Sequence, residues 1–158
     1  MRTMFRSTLA VIFSIIAINS SASAQDAQTR LWDAAKSGDT AAIRLAVKEG
    51  AKLDSIDFRS NRSGRLALNW AAWNDKVDAI KVLLELKAPI NAMNATSNTP
   101  LHHAAENGSM AAAKALLEAG ADPTLLNQGQ MTPFDVAQAK GFVEIEKLLK
   151  DALAKAKK

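Results

Sequence analysis

The chain has no cysteine and only two histidines, His102 and His103, in 158 residues. Without thiols it forms no disulfide and carries no thiolate, so packing alone must hold the fold. Lipid attachment to a cysteine at a leader cleavage site is excluded for the same reason. Adjacent helix residues point about 100° apart, so the two histidines do not converge on one ion, and no metal site is expected. No G-x-S-x-G, phosphate-loop or H-E-x-x-H run occurs. Carboxylates are scattered singly, and Glu144 and Glu146, two apart on one helix, do not face each other. The reading is therefore a non-enzyme without a cofactor. Charge of one sign is also scarce. The formal net charge is +4, of which Arg2 and Arg6 at the start contribute two, while Lys155, Lys157 and Lys158 crowd the end. No basic stripe remains for a nucleic acid.

What is present begins with the first 24 residues. Arg2 and Arg6 precede an apolar run from Leu9 to Ile18 broken by Ser14. Ala22-Ser23-Ala24 then gives an A-x-A site before polar Gln25-Asp26. This order is that of a secretory signal peptide. A membrane anchor is the alternative, but the run is about half of the ~20 residues that span a bilayer. Residues 1–24 are expected to be cleaved, leaving residues 25–158 as one soluble domain with no stable membrane anchor. The expected compartment is a bacterial periplasm, with release to the medium as second choice.

Leu68-Asn69-Trp70-Ala71-Ala72, Leu101-His102-His103-Ala104-Ala105 and Phe134-Asp135-Val136-Ala137 recur at a spacing of 33 residues, and Leu31-Trp32-Asp33-Ala34-Ala35 stands 37 before the first of them. The four extra residues fit the polar stretch from Asp57 to Gly64, because insertions in a repeat array go to loops. Each unit reads as two short helices. First helices are expected over Leu31–Ser37, Leu66–Asn74, Thr99–Asn107 and Thr132–Lys140. Turns follow at Gly38, Asp75, Gly108 and Gly141. Second helices are expected over Thr40–Glu49, Val77–Leu86, Met110–Ala119 and Val143–Ala154. Thr99 and Thr132 are expected to cap helix starts, with Pro100 and Pro133 at the first helical position. Leu66-Ala67 replaces that pair in the second unit. Lys150, where inner units place Leu84 and Leu117, marks a polar terminal face.

The 33-residue period with a Thr99-Pro100-Leu101-His102-x-Ala104 core resembles the ankyrin-repeat family. The resemblance implies an all-α solenoid of four repeats, about 28–60, 61–94, 95–127 and 128–158, with hairpin-like loops on one edge. It implies that His102 makes structural hydrogen bonds between neighbouring turns, with Asn69 and Asp135 as polar substitutes. It also implies a monomer that binds a folded protein in a concave groove.

By that alignment Trp73, whose equivalents are Lys36, Glu106 and Ala139, faces the groove as an aromatic anchor, or else folds onto the long loop against Phe58. Asn74, Asn107 and Lys140 neighbour it. The loops add Arg59, Asn61, Arg62 and Arg65, then Thr96 and Asn98, then Gln128 and Met131. The arginines are expected to form a positive region suited to an acidic patch on the partner, possible partners including a periplasmic enzyme that is inhibited, protected or scaffolded. A secreted effector acting on a host-cell protein is the alternative.

Overall fold

The computed structural model describes residues 23–60 and 62–156; all but the last two residues of the expected leader, residues 1–24, lie outside them, as do Asn61, Lys157 and Lys158. Eight helices occur among the described residues: α1 over 23–37, α2 Thr40–Lys48, α3 Ala67–Trp73, α4 Val77–Glu85, α5 Pro100–Asn107, α6 Met110–Glu118, α7 Pro133–Lys140 and α8 Val143–Ala156. α3, α5 and α7 pack in succession as an inner row, and α2, α4, α6 and α8 as an outer row. No strand forms among these residues, only an isolated bridge between Asp57 and Arg65. None of these helices is long and apolar enough to cross a membrane.

The helix limits follow from local chemistry. Thr99 and Thr132 each close a capping box, and Pro100 and Pro133 lead their helices. The Thr132 N–H donates to Asp135 Oδ2 at 2.8 Å, and the Asp135 N–H returns to Thr132 Oγ1 at 3.2 Å. Two otherwise orphan donors are thereby satisfied at one helix start. Leu66 makes no side-chain cap, as its apolar side chain dictates. Gly108 ends α5 in the left-handed region at φ 73°, which costs a glycine no Cβ clash. Asp75 takes the same turn at φ 54°. Its Oδ1 accepts from the Ala112 N–H at 2.6 Å, so this turn in one repeat caps α6 in the next. Ser109, the residue preceding α6, provides no side-chain cap of its own.

The first helix departs from expectation. α1 already covers residue 23, eight before Leu31. No proline or glycine interrupts residues 23–37, and Asp26 pairs with Arg30 one turn on, at 3.8 Å. Ala27 and Leu31 are both fully buried, so this extra length packs on the stack. Residues 23–26, which include the expected cleavage site after Ala24, are exposed.

The core is built from one or two large aliphatics per helix. Leu31, Leu68 and Leu101 of the inner row and Ile43, Ile80, Leu83, Leu116, Ile145 and Leu149 of the outer row are fully buried. Each such side chain contributes roughly 1.5–3 kcal/mol relative to exposure. Ala71, Ala72, Ala104 and Ala105, also buried, keep the inner helices close because little side chain separates them. Lys150 is exposed, whereas Leu84 and Leu117 at the corresponding inner positions pack against the core.

Three loops project as fingers. Backbone pairing joins Asp57 to Arg65 (2.8 and 3.1 Å), the Asn94 N–H to the Asn98 carbonyl (3.1 Å) and the Asn127 N–H to the Met131 carbonyl (3.0 Å). The first pair is eight positions apart and the others four, so the four extra residues lie between 57 and 65, as expected. Fingers also bond to one another: the Ala95 N–H donates to the Ser63 carbonyl and the Gln128 N–H to the Thr96 carbonyl, both at 3.1 Å.

Candidate docking groove

The wall and the floor of the groove are tied by one repeated hydrogen bond. His102 Nε2 lies 3.0 Å from the Met131 carbonyl oxygen, and Asn69 Nδ2 donates to the Asn98 carbonyl at 3.2 Å. Both bonds reach 29 residues ahead, from an inner helix to the next finger. This is the inter-turn role expected of His102, with Asn69 as its substitute. Asp135, on the last inner helix, closes its own cap instead.

Arg65, at the base of the first finger, lies against two tryptophans of α3. Its guanidinium carbon lies 4.2 Å from the centroid of Trp73 and 4.6 Å from that of Trp70. Lys36 Nζ sits 4.0 Å from the centroid of Trp70. Trp73 is half-buried and meets the His103 ring edge-on, with centroids 6.0 Å apart and planes at 68°. His103, on α5, is buried, with Nδ1 3.3 Å from the Glu106 carboxylate. Cations and aromatic faces therefore alternate from α1 to α5, an arrangement that attracts through the ring quadrupole.

The electrostatics follow from burial. Removal from water pushes the Arg65 guanidinium down from its ordinary range, opposed by the Glu106 charge. His103 is pushed down by burial, with Glu106 pulling it up and Arg65 pushing it further down. The Glu106 carboxyl is held below its usual range by the His103 hydrogen bond, against the effect of burial and with help from Lys140 and Arg65.

The arginine region differs from expectation. Arg59 does not add a free cation. Its Nε and Nη2 bond Asp57 at 2.8 and 3.0 Å, Nη2 bonds Asp33 at 2.8 Å, and the group lies 5.2 Å from the centroid of Trp32. Those carboxylates neutralise it. Asp57 is itself buried, and its Oδ2 accepts from Trp70 Nε1 at 3.1 Å. Burial pushes the Asp57 carboxyl up, but the Arg59 hydrogen bonds and charge and the Trp70 indole together bring it below its usual range. Arg62 is exposed. Trp73 meets His103, and Phe58 lies over Gly64, where an added Cβ would come within 2.9 Å of its ring.

The remaining expected residues divide in two. Asn98, Glu106, Met131 and Lys140 come together around one open cleft of about 180 Å³, with Asn127, Val136 and Ala139. Asn74 and Asn107 are held in structural bonds: Asn74 Nδ2 donates to the Trp70 carbonyl at 2.9 Å, and Asn107 Nδ2 to the Trp73 carbonyl at 2.8 Å. Residues that sequence reasoning missed are Asp57 and Asn94, the buried polar side chains at the roots of the first two fingers. Asn94 Oδ1 accepts from the Asn98 N–H (2.8 Å) and the Thr96 N–H (3.1 Å), and its Nδ2 donates to the Gly64 carbonyl at 2.9 Å. Their signal was the spacing of 37 from Asp57 to Asn94 and 33 from Asn94 to Asn127, the period of the helices themselves. No group of three or more potential metal ligands occurs among the described residues.

Comparison with known families accords with this geometry. A model described as "Ankyrin repeats (3 copies)" matches residues 6–94, and one described as "Ankyrin repeats (many copies)" matches residues 74–117 and 101–149. No curated protein matches the chain. Ankyrin repeats generally mediate protein–protein interaction and are typically non-enzymatic. With successive helix pairs, paired fingers and the repeated inner-helix bond all in register, the chain belongs to the ankyrin-repeat family.

Proposed function

We propose that this chain is an exported interaction module that docks one folded protein in the groove between its fingers and inner helices, in a bacterial periplasm. The observation that carries the reading is the half-buried Trp73, held between Arg65 and His103. A large, preorganised aromatic in such a place is a typical energetic anchor of an interface. Asn98, Glu106, Met131 and Lys140 continue the same face into the cleft. Export is supported by the leader pattern and by the exposure of residues 23–26; cleavage after Ala24 would remove none of the buried residues from Ala27 onward.

Binding would then be the activity, through inhibition, protection or scaffolding of the partner. Cell fractionation tests the compartment, with the processed chain expected in the periplasmic fraction; cytoplasmic retention of an uncleaved chain overturns it. A photo-reactive cross-linker at position 36 or 139, the groove equivalents of Trp73, should capture one protein. The same linker at Lys81, on the outer row, should not. Deletion of the chain then gives the sign: higher activity of the captured protein means inhibition, and lower abundance means protection.

A further inference from the structure

Two arginines of the first finger are treated very differently. Arg59 has its guanidinium filled by Asp57 and Asp33. Arg65 Nε is buried with no hydrogen-bond acceptor, and no described group accepts from the rest of its guanidinium. The nearest opposing charge, Glu106, is turned to His103 Nδ1 at 3.3 Å. Trp70 and Trp73 hold the guanidinium at 4.6 and 4.2 Å, but an indole face brings no net negative charge. A partly desolvated cation has thus been fixed in position with no carboxylate hydrogen-bonded to it, and Glu106 acts on it only through its charge.

Arg65 is only half-buried, so its Nη donors, unlike the buried Nε, are the ones that a partner reaches. We propose that the groove recognises an acidic side chain of its protein partner, whose carboxylate pairs with the Nη atoms of Arg65 between the two indoles. The planar fork of guanidinium matches a carboxylate by two parallel hydrogen bonds. The two rings remove the rotational freedom that a lone arginine would lose on binding. Lys36 at 4.0 Å from the centroid of Trp70 and the exposed Arg62 add a positive fringe. Glu106 on the groove floor disfavours a doubly charged phosphate more than a singly charged carboxylate, which selects an aspartate or glutamate side chain. This inference rests on the groove being the docking face.

The test is a titration of the full chain, labelled with nitrogen-15, by hexaglutamate and by hexaglutamine, followed at the arginine Nε–H resonances. Hexaglutamate should move the Arg65 resonance saturably in the millimolar range, and hexaglutamine should leave it unmoved. Arg65→Lys keeps the charge but loses the fork, and should weaken binding by about fivefold or more, against less than about twofold for Arg62→Gln. An unmoved Arg65 resonance overturns the proposal. Equal weakening by Arg62→Gln overturns it too, because that is the behaviour of diffuse charge attraction. Should Arg65→Lys not fold, the resonance titration of the unsubstituted chain decides alone. The groove reading fails separately: if Trp73→Ala leaves capture of the whole partner unchanged, the groove is not the docking face; if Trp73→Ala abolishes capture while Arg65→Lys does not change it, the groove stands and the carboxylate is rejected.

Discussion

Each histidine has one ring nitrogen that the fold requires as an acceptor. Asn94 Oδ1 is engaged by backbone donors, so its Nδ2 faces His103 Nε2 at 3.4 Å, which leaves Nδ1 to carry the proton toward Glu106. His102 Nδ1 lies 3.2 Å from the Thr99 N–H, which donates to it, so Nε2 donates to the Met131 carbonyl. Protonation would set donor against donor at either site. Burial, first among the causes, lowers the pKa of both. The unfolded chain then takes up protons near pH 6.5 that the folded chain refuses, so this contribution is complete above about pH 6.5 and is lost as pH falls below it. Thermal melts should show Tm falling from pH 7.5 to 5. His102→Asn, which mimics Asn69 and removes one titrating group, should flatten the slope. A level profile in the unsubstituted chain contradicts this. At this scale the sequence revealed the His102 bond, because its motif fixes both ends. It did not reveal the Arg65–Trp73 contact, because a finger longer than its neighbours sets where its base residues point.

Helices were the most legible elements. Thr-Pro starts and Gly stops sit at fixed register and act locally, so α5 and α7 begin and end where residues alone place them. α1 starts before the repeat period places it, because no proline or glycine between residues 23 and 31 stops the helix from extending. Asp75 and Lys87, the non-glycine residues with positive φ that follow α3 and α4, separate by what their side chains do. Asp75 caps α6 through the Ala112 N–H, whereas Lys87, at φ 72°, is exposed. A left-handed residue with a Cβ costs roughly 1–2 kcal/mol, partly offset by the entropy that glycine loses on folding. Lys87→Gly should therefore raise stability by about 0.5–1 kcal/mol in denaturant unfolding. Asp75→Gly should give no gain, because a lost helix cap costs about 0.5–2 kcal/mol. A stabilised Asp75→Gly variant would remove the cross-repeat cap from the account.

Over the whole molecule, stability is a sum of repeat and interface terms, and the ends must differ from the middle. Lys150 was recognisable as an end because it breaks a leucine register that Leu84 and Leu117 keep. Lys150→Leu should extend an apolar face on α8 and promote self-association, visible as a larger mass in light scattering than that of the unsubstituted chain; an unchanged mass would show that α8 is not the terminal face. The groove was legible only in outline. Its floor came from the period, but its charge pattern depended on which arginines find carboxylates within the chain, and that is a three-dimensional property. The central claim is that this groove, and not the outer row, grips the partner. Calorimetric affinity for the captured protein tests it: Trp73→Ala should weaken binding by about tenfold or more while Lys81→Ala leaves it unchanged, and the reverse order would contradict the account.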